Sequence, residues 1–450
     1  MQGITNTYLK YIDLILLENW SVQGLLDAKF NYSNKYELAR IGDFLIKSRN
    51  VVNIEDDKVY SRVTVKINNN GVILRDTETG VNIGTKKQYL AKAGQFIISK
   101  IDARNGAFGI IPNELDNAIV TNDFPLFDVN KKKINPQFLL LITTTKVFIK
   151  FAQSCSSGTT NRQRMDIDMF LNQKIPLPKL EEQDKIVNSY LDKVNEAERL
   201  KNEATNLEDK IEMYFLSELG IDVNDKKQRI KSIGLQVVNY SDLLKWGLDF
   251  IGIKNNEKRI YKDVSIIDLC KISSGGTPSR SRKEFYVGGN IPWIKTGELN
   301  DEVLYETEEK ITEDALKNSS AKLYKKGSIV IAMYGATIGK TAKLGIEAST
   351  NQACAVLFDI NNSIVLTDYL WEYLQIQTDN LKKLAYGSAQ PNLNAGIISN
   401  YPIPIPNLEK QKEILNKVIS LKEEIKYLKN NSLKMKTAAE NQFEKTIFNS

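Results

Sequence analysis

Histidine is absent from all 450 residues of the chain. Its absence removes the side chain used most often as a general base and as a transition-metal ligand. Ser-His-Asp triads and HExxH zinc helices are thereby excluded. Cysteine is scarce. Cys155, Cys270 and Cys354 lie far apart and form no CxxC pair, which argues against a disulfide framework or a thiolate zinc site and fits a reducing compartment. Long apolar runs are also missing. No stretch approaches the roughly eighteen apolar residues of a membrane span. The apolar run within Tyr11–Glu18 is too short and too charged for a signal-peptide core, so the expected location is the cytoplasm. Charge of one sign is not in great excess: 61 Lys+Arg against 55 Asp+Glu give +6, which is compatible with a nucleic-acid partner without requiring one.

Nucleotide and methyl-transfer signatures are likewise wanting. Gly335-Ala336-Thr337-Ile338-Gly339-Lys340-Thr341 places three residues between its glycines, one fewer than a phosphate-wrapping P-loop needs. A β-turn presenting Lys340 is the expected structure. Gly275-Gly276-Thr277-Pro278-Ser279 is a flexible turn without the GxGxxG spacing of a dinucleotide site. No Asn/Asp-Pro-Pro-aromatic run marks an amino-methyltransferase centre, and Glu424-Ile425-Lys426 sits on a helical pattern unsuited to a nuclease metal site. No catalytic residue, metal ligand or cofactor is assigned to this chain.

What the sequence does contain is a repeat of half its length. Ile175-Pro176-Leu177-Pro178-Lys179-Leu180-Glu181-Glu182-Gln183 returns as Ile403-Pro404-Ile405-Pro406-Asn407-Leu408-Glu409-Lys410-Gln411. Upstream, Leu90–Ile98 resembles Leu323–Ile331. Thr121-Asn122 before Phe127-Asp128 echoes Thr350-Asn351 before Phe358-Asp359, and Gly158 with Asn161 echoes Gly387 with Asn392. Such an ordered set predicts two similar halves.

Each Pro-rich segment opens a helical pattern. Ala197, Leu200, Ala204, Leu207, Ile211 and Tyr214 step by three and four; Ile414, Val418, Leu421, Ile425 and Leu428 do the same, with Met435 and Ala439 extending the phase. This is the a/d seam of a coiled coil. Pro178 and Pro406 mark the starts, Glu181, Glu182 and Glu409 favour the positive helix ends, and Gly220 is a stop. The second module leaves the end of one helix and returns to the start of the other, so the helices are expected to run antiparallel. Glu181–Leu219 would span about 58 Å at 1.5 Å per residue, against about 34–36 Å for one duplex turn. The helix-pair interface is assigned to Leu200, Leu207, Ile211, Val418, Leu421, Ile425 and Leu428.

The modules read as mixed. Val63–Ile67, Phe96–Ile98, Ile110-Ile111, Ser328–Ala332 and Ala355–Phe358 are predicted strands, and Pro136–Phe151 and Asp368–Leu384 predicted helices. The fold class is α+β: two similar mixed α/β modules separated by an antiparallel pair of long coiled-coil helices with a pseudo-two-fold axis. Expected boundaries are 1–178 for the first module, 179–220 for the central helix, 221–406 for the second module and 407–450 for the C-terminal helix. Candidate nucleic-acid contacts are Lys86, Lys87, Lys100, Arg104, Arg162 and Arg164 in the first module, with Gln163 beside them. In the second they are Arg280, Arg282, Lys283, Lys295, Tyr334, Lys340 and Lys343. Arg and Lys hold phosphates and read guanine, while Asn and Gln read adenine.

The chain as a whole resembles the DNA-specificity subunit of type I restriction–modification systems. The resemblance rests on the twice-used Pro-rich entry into a long helix, on Gly275–Ser279, on Ile291-Pro292-Trp293-Ile294, and on Gly327 followed by Tyr334–Lys340. The first module departs from it: it lacks the Gly-Gly-Thr-Pro and Pro-Trp elements and has Ser99–Gly106 where the second has Ala332–Lys340. The resemblance implies that each module is a target recognition domain reading one part of a bipartite double-stranded DNA site. It implies that the helices set the spacing and dock two adenine-methyltransferase subunits, and that motor-nuclease subunits join for restriction. S-adenosylmethionine, ATP and magnesium would be held by those partners. The alternative is a specificity-like adaptor, or the recognition module of another DNA-modification enzyme.

Overall fold

The computed structural model of the chain describes residues 30–157, 164–221, 260–385 and 392–448. Two compact units form. One comprises the chain up to Leu200 together with Asn430–Ser450; the other is Lys201–Lys429. Both are mixed α+β, and each contains one half of each long helix.

The two units are built to the same plan. In the first, a sheet runs in the order Leu45–Lys47, Leu126–Val129, Phe96–Ile98, Phe108–Ile110; in the second, Lys271–Ser274, Cys354–Phe358, Ile329–Ala332, Thr341–Leu344, Val303–Leu304. The glycine that opens each central hairpin is left-handed, Gly94 at φ 83° and Gly327 at φ 90°. Their N–H groups donate to the matching carbonyls, Ile111 and Leu344, both at 2.8 Å. Glycine is needed there because a Cβ disfavours positive φ. Each unit adds a second sheet, five-stranded in the first and three-stranded (Ile291–Ile294, Glu309–Ile311, Ser349–Thr350) in the second. An aromatic core of Phe96, Phe108, Phe127, Phe148 and Phe170 fills the first unit, while the second divides its core around Val330 and Val356 and around Phe285 and Trp293.

The helices expected over Pro136–Phe151 and Asp368–Leu384 each prove to be two, Pro136–Thr143 with Lys146–Ser154 and Thr367–Ile376 with Thr378–Leu384. In the first unit the break is chemical. The hydroxyls of Thr143, Thr144 and Thr145 donate back to the Leu140, Leu141 and Ile142 carbonyls, and Thr145 then caps the second helix through Phe148 N.

Both Pro-rich segments begin in short strands that pair antiparallel with the start of their own module: Leu38–Arg40 with Lys174–Pro176, and Asp263–Ser265 with Pro402–Pro404. The long helices follow, Leu180–Glu218 and Leu408–Ile447, 39 and 40 residues. Gly220, at φ 71°, ends the first as expected: its N–H reaches Ser217 O, and that of Ile221 reaches Leu216 O.

Their pairing is antiparallel in each unit. In the first, Ser432 Oγ donates to Ala197 O at 2.6 Å, and Lys193 and Ser189 both bond Gln442. In the second, Lys429 meets Glu208 at 2.6 Å and Lys410 meets Glu218 at 2.5 Å. Ascending positions on one helix meet descending positions on the other. The assigned seam residues Leu200, Leu207, Ile211, Val418, Leu421, Ile425 and Leu428 are all buried. Two expectations at its margins are corrected. Tyr214 is half-buried, and Phe215 takes the core position, with its ring 5.4 Å from that of Tyr369. Met435 is exposed at 38%, whereas Ala439 is buried. Phase follows the packing surface, which here includes module residues as well as the partner helix.

The junction of module and helix is held by one buried side chain in each unit. Gln183 Nε2 donates to Pro178 O at 2.8 Å and Lys133 O at 3.2 Å, and its Oε1 accepts from Asn135 N at 2.8 Å. Gln411 repeats the pattern with Pro406 O at 2.8 Å, Ile364 O at 2.9 Å and Leu366 N at 2.8 Å. Both glutamines have zero exposure. Leucine at either place orphans one N–H and two carbonyls. Gln183→Leu and Gln411→Leu are each expected to lower the unfolding free energy by about 3 kcal/mol, read by chemical denaturation; an unchanged midpoint would refute the lock.

Candidate nucleic-acid interface

In the first module the candidate cations divide by what holds them. Lys100 stands at the head of the Phe96–Ile98 strand. Its N–H donates to Asp123 O, and its carbonyl accepts from Met165 N, both at 2.9 Å. Next to it, Arg164 grips Asp123 through two bonds of 2.9 and 3.1 Å, and Lys47 lies opposite Phe127 on the neighbouring strand. Burial, and then the positive charges of Lys47 and Arg164, push the Lys100 ammonium below its ordinary pKa, with Asp123 opposing. Arg164 in turn holds the Asp123 carboxyl below its usual range. Arg164 and Lys100 therefore flank the Asp123 carboxylate, and Lys47 adds a third positive charge close to Lys100. Such a cluster is suited to an anion with several oxygens, such as a phosphate diester. Lys47 is the member that sequence reading missed, because only strand pairing brings it beside Lys100.

The other first-module candidates are placed differently. Lys86 bonds Asp56 and the Gly80 carbonyl at 2.5 and 2.7 Å, so it ties two turns together. Lys87 begins an edge-proximal strand with its side chain exposed. Arg104 is half-buried in the turn after Lys100, where its carbonyl accepts from Gln153 Nε2. Arg162 lies outside the described residues, as do Gly158, Asn161, Gln163 and Gly387.

In the second module most of the candidates have intramolecular work. Arg280 pairs with Glu309 at 2.6 Å and stacks on Tyr286 and Trp293, at 4.4 and 5.0 Å. Lys295 meets Glu308 and Glu309. Arg282 pairs with Glu284 and lies 3.9 Å over the Phe285 ring. Lys343 pairs with Asp368 beside Trp371. Lys283 is exposed, Lys340 half-buried and Tyr334 exposed at 38%. The Gly335–Lys340 segment joins two antiparallel strands, with Gly335 and Gly339 both left-handed. Residue Thr341 opens a strand and no helix, so the amide cradle of a P-loop does not form at this turn.

Around this turn lies a polar surface. Thr337 Oγ1 donates to Thr296 O at 2.9 Å, and Thr277 Oγ1 donates to Gln352 Oε1. The Gly275-Gly276 segment is pressed against Thr350 and Ser320: a Cβ on Gly275 would lie 2.1 Å from Thr350 Oγ1, and one on Gly276 2.3 Å from the Ser320 carbonyl carbon. Trp293 Nε1 fastens it through Gly276 O at 3.0 Å. The glycines are thus required by close approach, which lets the Thr277–Ser281 loop sit rigidly beside Gln352.

The reactive groups are muted. All three cysteines are buried, and burial pushes each thiol up to about 12, which suppresses the nucleophilic thiolate at neutral pH. Among the described residues no cluster of His, Cys, Asp and Glu is arranged to hold a metal, and no helix is long and apolar enough to cross a membrane.

Comparison with known proteins gives one family. The model for the type I restriction modification DNA specificity domain matches twice, over residues 33–212 and 259–435. The HindI specificity subunit of Haemophilus influenzae is 25% identical over 426 residues, 83% of this chain and 91% of that protein. The MjaIX specificity subunit of Methanocaldococcus jannaschii is 34% identical over 154 residues, 33% of this chain and 35% of its own length. The match with MjaIX therefore spans about a third of that relative. A chain solved in a study of complex assembly and conformational transition of the type I R-M system superposes at a TM-score of 0.58. It has 18% identity and covers 93% of this chain and 98% of its own. That likeness is one of fold.

The crowding at Lys100 yields a prediction. A lysine whose folded pKa is lowered costs stability at neutral pH, and the cost fades as pH rises from the folded pKa toward the ordinary value. Lys100→Met, which copies Met333 at the equivalent place, is expected to raise the unfolding free energy at pH 7 by about 0.5 kcal/mol. The difference from the parent should narrow in alkaline buffer. A variant less stable than the parent at pH 7 would contradict the crowding.

Proposed function

The chain belongs to the family of type I restriction modification DNA specificity domains, which it carries twice, and from that premise we propose that it is the sequence-recognition subunit of a type I restriction–modification complex. The observation that carries this reading is the double family match, laid over two units with one plan. Each module (1–178 and 221–406) reads one part of a bipartite DNA site. The long helices (179–220 and 407–450) set the separation of the two parts and dock two adenine-methyltransferase subunits, and motor-nuclease subunits join for cleavage. This chain is the non-catalytic member. S-adenosylmethionine, ATP and magnesium belong to the partners, and this chain supplies address and spacing.

The chemistry divides by residue type. Lys47, Lys100 and Arg164 in the first module hold backbone phosphates and fix register. The amide and hydroxyl groups of Thr277, Gln352 and Thr337 in the second face base edges. Arg280, Arg282, Lys295 and Lys343 are committed to carboxylates and rings of their own module, so they shape the loops and reach DNA only by breaking those pairs.

Two measurements test the reading. Lys47→Ala in the full chain, assembled with its methyltransferase subunits, is expected to weaken duplex binding by a similar factor on every sequence. It should reduce the magnitude of the log–log salt slope by about 1. Loss confined to one sequence would oppose a phosphate role. Adding four residues to each long helix lengthens it by about 6 Å, or one to two base pairs. Sequencing of methylated genomic DNA is then expected to show a longer unread spacer between unchanged half-sites. A changed half-site with a constant spacer would defeat the ruler.

A further inference from the structure

The hydrogen-bond pattern aligns the two modules more finely than their sequences do. Phe124 N donates to Thr121 O in the first, and Cys354 N to Asn351 O in the second; Lys100 N donates to Asp123 O, and Met333 N to Ala353 O. Thr121-Asn122-Asp123 therefore matches Asn351-Gln352-Ala353. The sequence pairing of Thr121-Asn122 with Thr350-Asn351 is one residue out of register. In the corrected register the turn tip carries an exposed side-chain amide in both modules, Asn122 and Gln352.

The surroundings of these two amides are not alike. Met165 N donates to Lys100 O and Leu393 N to Met333 O, so Arg164 matches Asn392. The charged set Lys100, Asp123 and Arg164 around Asn122 is replaced by Met333, Ala353 and Asn392 around Gln352. The amide at the tip is retained while the charges beneath it are exchanged for neutral groups. Both turns are pinned from beneath by main-chain bonds. The second is held further by Asn351 N to Ile294 O at 2.9 Å and Gly276 N to Thr350 O at 2.8 Å. Thr277 orients the Gln352 amide through its oxygen, which has a second lone pair to spend. A short amide on a rigid, solvent-facing turn loses little freedom on contact and presents one donor and one acceptor side by side. That is the pattern of the adenine major-groove edge, N7 accepting and N6 donating.

We infer that Asn122 and Gln352 are matching specificity-determining residues, each reading an adenine of its own half-site through the amide. This inference rests on the DNA-recognition reading above and assigns it particular residues. The phosphate cluster beside Asn122 supplies grip in the first module; the second module relies on the oriented amide and its neighbouring hydroxyls.

The test uses the full chain assembled with its methyltransferase subunits, scored by sequencing N6-methyladenine and by selection from a duplex library randomised over both half-sites. Asn122→Ala is expected to reduce preference at one A·T pair of one half-site by about 10- to 100-fold, with the other half-site untouched. Gln352→Ala is expected to do the same in the other. Asn122→Asp and Gln352→Glu keep the acceptor and lose the donor. They should turn the same position toward cytosine, whose N4 donates, an outcome that a merely folded or unfolded protein cannot mimic. Unchanged preference in all four variants, or a change at a position the parent reads as G·C, overturns the inference while leaving the recognition reading intact. A parent complex with no bipartite preference removes both.

Discussion

Each unit depends on a glutamine with no water to bond. Gln183 and Gln411 must find every partner within the protein, and the partners they find belong to two pieces of chain: the proline before the long helix, and the segment leading into a module helix, which supplies one carbonyl and one N–H. A buried amide satisfied by main-chain groups tolerates little displacement. The start of the helix is thereby fixed to its own module. The proline carbonyl is a natural member of the lock, since the residues leading into a helix have acceptors that no helical N–H reaches.

From that fixed junction the differences between the halves become interpretable. At the position of Leu141 in the first unit the second has Glu372, nearly buried and bonded by Lys422 at 2.6 and 2.7 Å; the first unit has Val194 where Lys422 stands. One half therefore uses apolar side chains where the other uses an ion pair. Glu372 is buried and Lys422 half-exposed, and a pair whose carboxylate has been taken out of water contributes orientation more readily than net stability. The same exchange in the opposite sense occurs beside the turns of Asn122 and Gln352, where Lys100, Asp123 and Arg164 of the first module match Met333, Ala353 and Asn392 of the second. A common frame with independently varied surfaces is what the proposed reading of two different DNA parts requires.

The glycines of the second module show how such a surface is held. Gly275 and Gly276 have no room for a Cβ, so their neighbours lie closer than any other residue would permit, and Trp293 closes the contact through a carbonyl. The loop beyond them, Thr277 included, gains a definite position without contributing to a helix or a sheet. Rigid loops on a rigid scaffold are the usual carriers of recognition.

Much of this was readable from residue order alone. The repeated Pro-rich entry, the three-and-four spacing and Gly220 determined two long helices, the starts of both, the stop of the first and the middle of their buried seam, because those features follow from local geometry and periodicity; Val187, Phe215, Leu216, Leu415, Phe443 and Ile447 are buried as well and lay outside that reading. The mixed modules and the central strands were readable for the same reason. Tertiary structure alone decided which charges are spoken for. Arg280, Lys295 and Lys343 stand in the sequence as free cations, yet their partners Glu309, Glu308 and Asp368 come from segments that only folding brings near. Lys47 joins Lys100 through strand pairing, and Asn122 matches Gln352 only in a register written in main-chain hydrogen bonds. Periodicity reports which face of an element is buried; it carries no information about which distant side chain waits on the other side.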